Sequence, residues 1–288
     1  MFRFIFLLIF YNNLFTFFVL GVIINVYIIF YLFIFRGFKM QNFEKVNIRG
    51  VYFDNLTKEE AANRLIELLN RPGTDSVYTP NPEIVQACIE DNSLYGVINS
   101  ASLVIPDGIG IIYASKILKT PLKEKIPGIE LAQSLIEHIS KTHEPIYLLG
   151  SAPASGTSEA VCDIAAKKLS AKYPGLVVCG THDGYFKDCD SEKIIEDINN
   201  SGAKVLFVCL GAPKQEKWIY ENRDKLSASL VMGLGGSLDV FAGTVKRAPN
   251  FFVKLNLEWF YRLVKQPQRF GRMLKLPKFL FGTIISKK

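Results

Sequence analysis

Apolar runs of four to seven residues alternate with amphipathic stretches along most of this chain. Val46–Phe53 alternates like a short strand or hairpin. Thr57-Lys-Glu-Glu60 has the spacing of a capping box and predicts a helix to about Leu69. Ser76–Thr79 reads as a strand, followed by a polar loop and a helix starting near Asn81. Ser102–Ile105 reads as a strand ending in Pro106-Asp107-Gly108, and Gly128–Ser140 has helical periodicity. Pro145–Leu149 is a buried apolar strand ending in Gly150-Ser151, with a helix from there to about Ala171. Leu176–Cys179, Lys204–Leu210 and Leu230–Met232 complete the strands, and Ser191–Asn200 is a further helix. Strands alternating with helices predict an α/β fold, a Rossmann-like, mostly parallel sheet flanked by helices. In such sheets ligands bind outside the carboxyl ends of the strands, so the polar and glycine-rich turns that follow each apolar run are where chemistry is expected.

Two segments depart from this alternation. Phe4–Phe35 has no charged residue. After the break at Asn12-Asn13, Leu14–Phe35 gives 22 residues, roughly 33 Å as a helix and enough to span a bilayer. Arg36 and Lys39 follow it, which would leave the remainder on the cytoplasmic face of the membrane. Met40 could equally open a soluble domain, which would make residues 1–39 a start-site artefact; hydropathy does not separate this from an anchor. At the other end, Thr244–Lys288 holds eleven Lys and Arg and one acid, Glu258. The first 39 residues carry +3 and the last 45 carry +10, so within the chain's +7 the body Met40–Gly243 is about −6. The expected division is a hydrophobic segment 1–39, a catalytic α/β domain 40–243 and a basic helical appendage 244–288.

The appendage spaces Glu258, Arg262, Lys265, Arg269 and Arg272 by 4, 3, 4 and 3 residues, one face of a helix. Pro249 can start that helix and Pro267 should kink or break it. A basic aromatic helix fits an anionic membrane surface, while arginine forks also match phosphate oxygens. Nucleic acid is disfavoured by the acidic body. The five cysteines are scattered and lack CxxC spacing, which fits free thiols.

The strand-end turns carry the candidate chemistry. Thr79-Pro-Asn-Pro-Glu83 offers a hydroxyl and an amide, although Asn81 as N-cap with Pro82 at N1 explains part of it as a plain helix start. Asp107 in Pro106-Asp-Gly-Ile-Gly110 is a carboxylate at a helix entrance, a candidate general base or an ordinary N-cap. Gly211-Ala-Pro-Lys-Gln215-Glu216 follows the strongest strand and is neither a P-loop nor GxGxxG. Gly233-Leu-Gly-Gly-Ser-Leu-Asp239 brings Gly235, Gly236 and Asp239. With Gly150-Ser151 and Gly211 these turns suggest a nucleotide diphosphate cradle, Asp239 reaching a ribose hydroxyl. Asp188-Cys-Asp190 matches a metal-binding DxD, but it follows no buried strand and Asp190 suits an N-cap.

In order along the chain, TPNPE (79–83), PDGIG (106–110), Lys125-x-x-Gly128, HDGYF (182–186), GAPKQE-x-W (211–218), GGSLD (235–239), G-x-x-x-RAP (243–249) and EWFYR…R..R (258–272) resemble the WecG/TagA/CpsF glycosyltransferases. The resemblance runs from about Met40 to Lys275 and is closest to the teichoic-acid linkage enzymes. It implies inverting transfer of N-acetylmannosamine from a UDP-sugar donor to polyprenyl-diphosphate-linked GlcNAc, without a bound metal or other cofactor. It implies Asp107 as the base for the acceptor 4-hydroxyl, Thr79 and Asn81 lining the sugar pocket, and Gln215 touching donor or acceptor. Arg262, Arg269 and Arg272 fall on arginines that bind the diphosphate. Lys125 stands where arginine is expected, keeping the charge and losing the fork. Other donors, the uronic acid of N-acetylmannosamine or glucose, occur in the family. A membrane-tethered binding protein is the reading from another class, and a homo-oligomer stays open.

Overall fold

In a computed structural model of the chain, residues 43–265, 271 and 275–286 are described. The fold is that of the unit Glu44–Lys288. The hydrophobic segment 1–39, Arg269 and Arg272 lie outside the described residues.

The chain opens with an antiparallel hairpin, β1 (Lys45–Ile48) and β2 (Val51–Asp54), in register from Lys45 opposite Asp54 to Ile48 opposite Val51. Helix α1 (Lys58–Leu69) starts at the expected capping box: the Thr57 hydroxyl accepts from the Glu60 amide and the Glu60 carboxylate accepts from the Thr57 amide. Then come β3 (Asp75–Tyr78), α2 (Pro82–Glu90), α3 (Ser93–Asn99), β4 (Leu103–Val104), α4 (Ile109–Ile117) and α5 (Gly128–Thr142). The second half runs β5 (Ile146–Gly150), α6 (Val161–Lys172), β6 (Val178–His182), α7 (Ser191–Asn200), β7 (Val205–Cys209), α8 (Lys214–Asn222), β8 (Leu230–Gly233) and α9 (Ser237–Ala242).

Six strands form one sheet in the order β4-β3-β8-β7-β5-β6, every pair parallel. The strands β3, β5, β7 and β8 are buried at every residue, and β5, β7 and β8 are the near-continuous apolar runs that a sheet covered on both faces requires. This is the α/β, Rossmann-like architecture expected, and it sends all six carboxyl ends to one edge.

Some boundaries differ. The helix expected directly after Gly150-Ser151 begins only at Val161, because residues 151–160 make a polar loop closed by a Ser155–Ser158 bridge. The strand expected at Leu176–Cys179 is Val178–His182, displaced toward the HDGYF turn. Asp190 precedes α7 but caps nothing there; its carboxylate accepts from the Lys187 amide in a short 3-10 turn, Asp188–Asp190.

The basic C-terminal region is helical but not one helix. Pro249 starts α10 (Asn250–Lys254). The chain then turns, with Asn256 left-handed at φ 58, before α11 (Glu258–Lys265). The single helix expected from Pro249 is thus interrupted before Glu258. A last helix, α12 (Lys275–Ser286), packs against α2 and α4. Its Phe279 and Thr283 are fully buried, and Lys275 and Lys278 both pair with Glu90. Arg49 in the hairpin turn donates to the Gly282 carbonyl. The sequence after Gly243 therefore contributes to the core itself.

Candidate active site

The outer half of the sheet edge is built from the ends of β3 and β4. Asn81 is the N-cap of α2, its side-chain oxygen accepting from the Ile84 amide at 3.1 Å, with Pro82 at N1 as the plain helix-start reading requires. Thr79, just before it, is half-buried and its hydroxyl lies 3.5 Å from the Gly233 carbonyl at the end of β8.

Asp107 does not cap the helix it precedes. Gly108, left-handed at φ 88, is the N-cap of α4 and makes no side-chain cap bond. The Asp107 carboxylate instead accepts from the amide of Gly128, the first residue of α5, at 3.3 Å. It thus sits at the positive end of a fifteen-residue helix, where free amides favour the ionised form. Gly128 is required there. A Cβ on it would come 2.8 Å from the Thr79 hydroxyl oxygen, so the bare Cα lets Thr79, Asp107 and the start of α5 meet. Asp107 and Thr79 both approach Gly128, and the Lys125-x-x-Gly128 motif supplies the junction.

The inner half is the glycine-rich edge of β5, β7 and β8. Gly150 has φ 132, and a Cβ there would lie 2.4 Å from the Cys209 carbonyl oxygen, so β5 and β7 leave no room for a side chain. Gly211 (φ 78) and Gly235 (φ 53) face open space, and Gly236 is exposed. The Asp239 carboxylate accepts from the Ser151 hydroxyl at 3.2 Å, and the Gly184 amide donates to the Ser151 carbonyl at 2.9 Å. Gly150, Ser151, Gly184 and Asp239 thus cluster at the carboxyl end of β5, and Gly236 lies beside Asp239, a backbone-rich edge suited to phosphate oxygens. Tyr185, on the same turn as Gly184, is 77% exposed, and its neighbour Phe186 packs edge-on to Trp218 with the Lys214 ammonium 4.9 Å from its ring centroid.

Gln215 ties the start of α8 to the turn after β8. Its side-chain oxygen accepts from the Gly235 amide at 2.8 Å, and its side-chain nitrogen donates to Glu216 at 2.7 Å. Glu216 is buried, and burial pushes its carboxyl up to about 7. Glu216, Ser151 and Gly184 were legible in the sequence only as members of strand-end motifs, without a role of their own.

Lys125 is held at the appendage. Its ammonium lies 3.0 Å from the Asn256 side-chain oxygen and 3.4 Å from Glu258. Glu258 also pairs with Arg247, which pairs with Glu130, itself bridged to Lys58 at 2.6 Å. Burial alone would raise the Glu130 carboxyl; the Lys58 and Arg247 hydrogen bonds outweigh it and hold the pKa below the ordinary 4.5. This chain of charges fastens the start of the appendage to α5, beside Asp107. Arg262 lies on α11, and its side chain is outside the described part.

Among the described residues no three His, Cys, Asp or Glu side chains converge as a metal-ligand set. Cys88, Cys162 and Cys209 are buried, and burial pushes their thiols up to about 12, about 11 and about 12, so they are poor nucleophiles. No helix among the described residues is long and apolar enough to cross a membrane.

The sequence model of the Glycosyl transferase WecG/TagA/CpsF family matches residues 46–288. The chain belongs to this family. It is also 36% identical over 249 residues to proteins of Staphylococcus aureus named N-acetylglucosaminyldiphosphoundecaprenol N-acetyl-beta-D-mannosaminyltransferase, in strains MW2, NCTC 8325 / PS 47 and MRSA252. The match covers 86% of this chain and 95% of each relative. Asp107, Gln215, Lys125 and the glycine turns all fall inside the matched region of the family.

Proposed function

We propose that this WecG/TagA/CpsF family member moves N-acetylmannosamine from UDP-N-acetylmannosamine to the 4-hydroxyl of GlcNAc-diphospho-undecaprenol, with inversion, in the synthesis of the wall teichoic acid linkage unit. The names of the Staphylococcus aureus relatives support the transferred sugar and the acceptor. The observation that carries the chemistry is the Asp107 carboxylate at the amino end of α5, near Thr79 and on the same sheet edge as the glycine turns.

Inversion takes one displacement. Asp107 removes the proton of the acceptor hydroxyl, the freed oxygen attacks the anomeric carbon, and the bond from that carbon to the UDP oxygen breaks. The UDP leaves with the electron pair, its charge met by backbone amides of the turns at Gly150, Gly211 and Gly236, the Gly235 amide being held by Gln215, and by arginines of the appendage. Asp239 and Ser151 are assigned to the ribose, the exposed Tyr185 ring to a stack on the base, and Thr79 and Asn81 to the sugar. Lys125, Arg262, Arg269 and Arg272 are assigned to the acceptor diphosphate. No metal is needed in this scheme, because amides and cations supply the positive charge.

The acceptor is a membrane lipid, so the enzyme works at a bilayer, on its cytoplasmic face. Phe251, Leu255, Trp259, Phe260 and Val264, on α10, just after it and on α11, are exposed large apolar side chains in the most basic part of the chain, a combination that fits an anionic lipid surface.

UDP release measured across UDP-N-acetylmannosamine, its uronic acid and UDP-glucose, with and without GlcNAc-diphospho-lipid, tests the reading. Release is expected only with the first donor and only with acceptor. Equal release with UDP-glucose would overturn the donor, and acceptor-independent release would overturn the transfer.

A further inference from the structure

Gln215 and Glu216 are consecutive residues in the first turn of α8, and both side chains are buried, at 3% and 1% exposure. A glutamine amide can be placed in two orientations related by a flip, and its neighbours decide between them. On one side the Gly235 amide is a donor and demands the oxygen of Gln215, at 2.8 Å. On the other, the Glu216 carboxyl Oε1 is an acceptor and demands the nitrogen, at 2.7 Å. A flipped amide would set donor against donor at Gly235 and acceptor against acceptor at Glu216. Space is tight as well: a Cβ on Gly233 would stand 3.1 Å from the Gln215 nitrogen. Gly235 is left-handed at φ 53, a conformation open to glycine, and the bond its N–H donates to Gln215 fixes it in the turn after β8.

Glu216 has no reason to be a carboxyl for stability. Its Oε2 is buried without a hydrogen-bond partner, which costs free energy that an apolar side chain of the same size would not incur. Its backbone is fixed independently, the Tyr78 hydroxyl donating to the Glu216 carbonyl at 3.2 Å.

We propose that Glu216 is a positioning residue: it holds the Gln215 amide in the one orientation that fixes the Gly233–Gly236 turn in its diphosphate-receiving shape and leaves the second Gln215 N–H for the substrate. It touches no substrate itself. Protonation at Oε2 leaves Oε1 an acceptor, so the device works with the carboxyl charged or neutral. The inference rests on the donor-binding role proposed for this turn.

The test compares full-length wild type with Glu216→Gln and Glu216→Met, reading UDP binding by calorimetry, kcat and KM for the donor, and Tm. Gln keeps an acceptor for the Gln215 nitrogen; Met keeps the volume and removes it. Glu216→Met should fold with a Tm no lower than wild type, bind UDP about tenfold more weakly and lose more in kcat/KM, as the loss of a buried hydrogen-bonded orientation implies. Glu216→Gln should restore both to within about threefold, the size of a minor perturbation of one hydrogen bond. A Met variant indistinguishable from wild type in UDP binding and kcat/KM would overturn the proposal. So would a Gln variant as impaired as Met, or a Met variant that does not fold. A wild type that binds no UDP would overturn the functional reading and this proposal together, whereas wild-type binding matched by Met would overturn this proposal alone.

Discussion

Asp107 accepts the amide hydrogen of Gly128 at 3.3 Å, which joins the end of β4 to the first residue of α5 across twenty-one positions of sequence. The bond makes α5 an electrostatic part of the site. It also explains the glycine of the Lys125-x-x-Gly128 motif, since any side chain at 128 would meet Thr79.

Gly128→Ala should therefore lower kcat with little effect on UDP binding. The added methyl would come 2.8 Å from the Thr79 hydroxyl and push apart the residues assigned to sugar and base. Steady-state kinetics with UDP calorimetry on the same protein checks this; equal losses in both would place Gly128 in the fold alone.

Gly150→Ala should act on the other half of the site. Its Cβ would overlap the Cys209 carbonyl, and φ 132 is closed to alanine. UDP affinity is expected to fall at least about tenfold, the equivalent of a single strained backbone position, and calorimetry reads it.

The strand-helix alternation, the capping box at Thr57 and the turn positions were legible in sequence because each is a local signal. The burial period, the cap residue and the glycine all lie within one element. Asp107 was legible as a carboxylate at a strand end, but not its partner, since Gly128 comes from a different helix. Glu216 was legible as a member of the turn after β7, but not its bond to Gln215, because its burial is a tertiary fact. The break at Asn256 was missed because Pro249 and Pro267 were the only breakers in view, and a left-handed asparagine is a weak signal. Periodicity likewise could not say that α12 buries Phe279 between α2 and α4.

Phe279→Ala should destabilise the whole chain, since this side chain is fully buried in the main core. A loss of about 3–5 kcal/mol is expected for a phenylalanine truncated in a core, read by denaturant unfolding. A change below about 0.5 kcal/mol, typical of surface positions, would mean that α12 is a loosely attached arm.

Glu216 gives a pH signature of its own. Its folded pKa is raised to about 7 from 4.5, chiefly by burial, with Gln215 pulling it down; Tyr78 and Cys88 face it and stay neutral over this range. A raised carboxyl stabilises the fold while neutral, so this contribution is full below pH 4.5 and is lost as pH rises toward 7. The Tm of Glu216→Gln should match wild type at pH 4.5 and exceed it increasingly up to about pH 7, then run parallel. A constant gap across that window would show that Glu216 does not titrate there.

The central claim is that Asp107 is the base that deprotonates the acceptor. Transfer from UDP-N-acetylmannosamine to GlcNAc-diphospho-lipid by Asp107→Asn, measured beside UDP binding by the same preparation, tests it most directly. UDP affinity should stay within about twofold of wild type, while kcat falls by roughly 10²–10⁴, the usual contribution of a positioned general base. Turnover within about threefold of wild type would contradict the assignment of the base and the mechanism built on it.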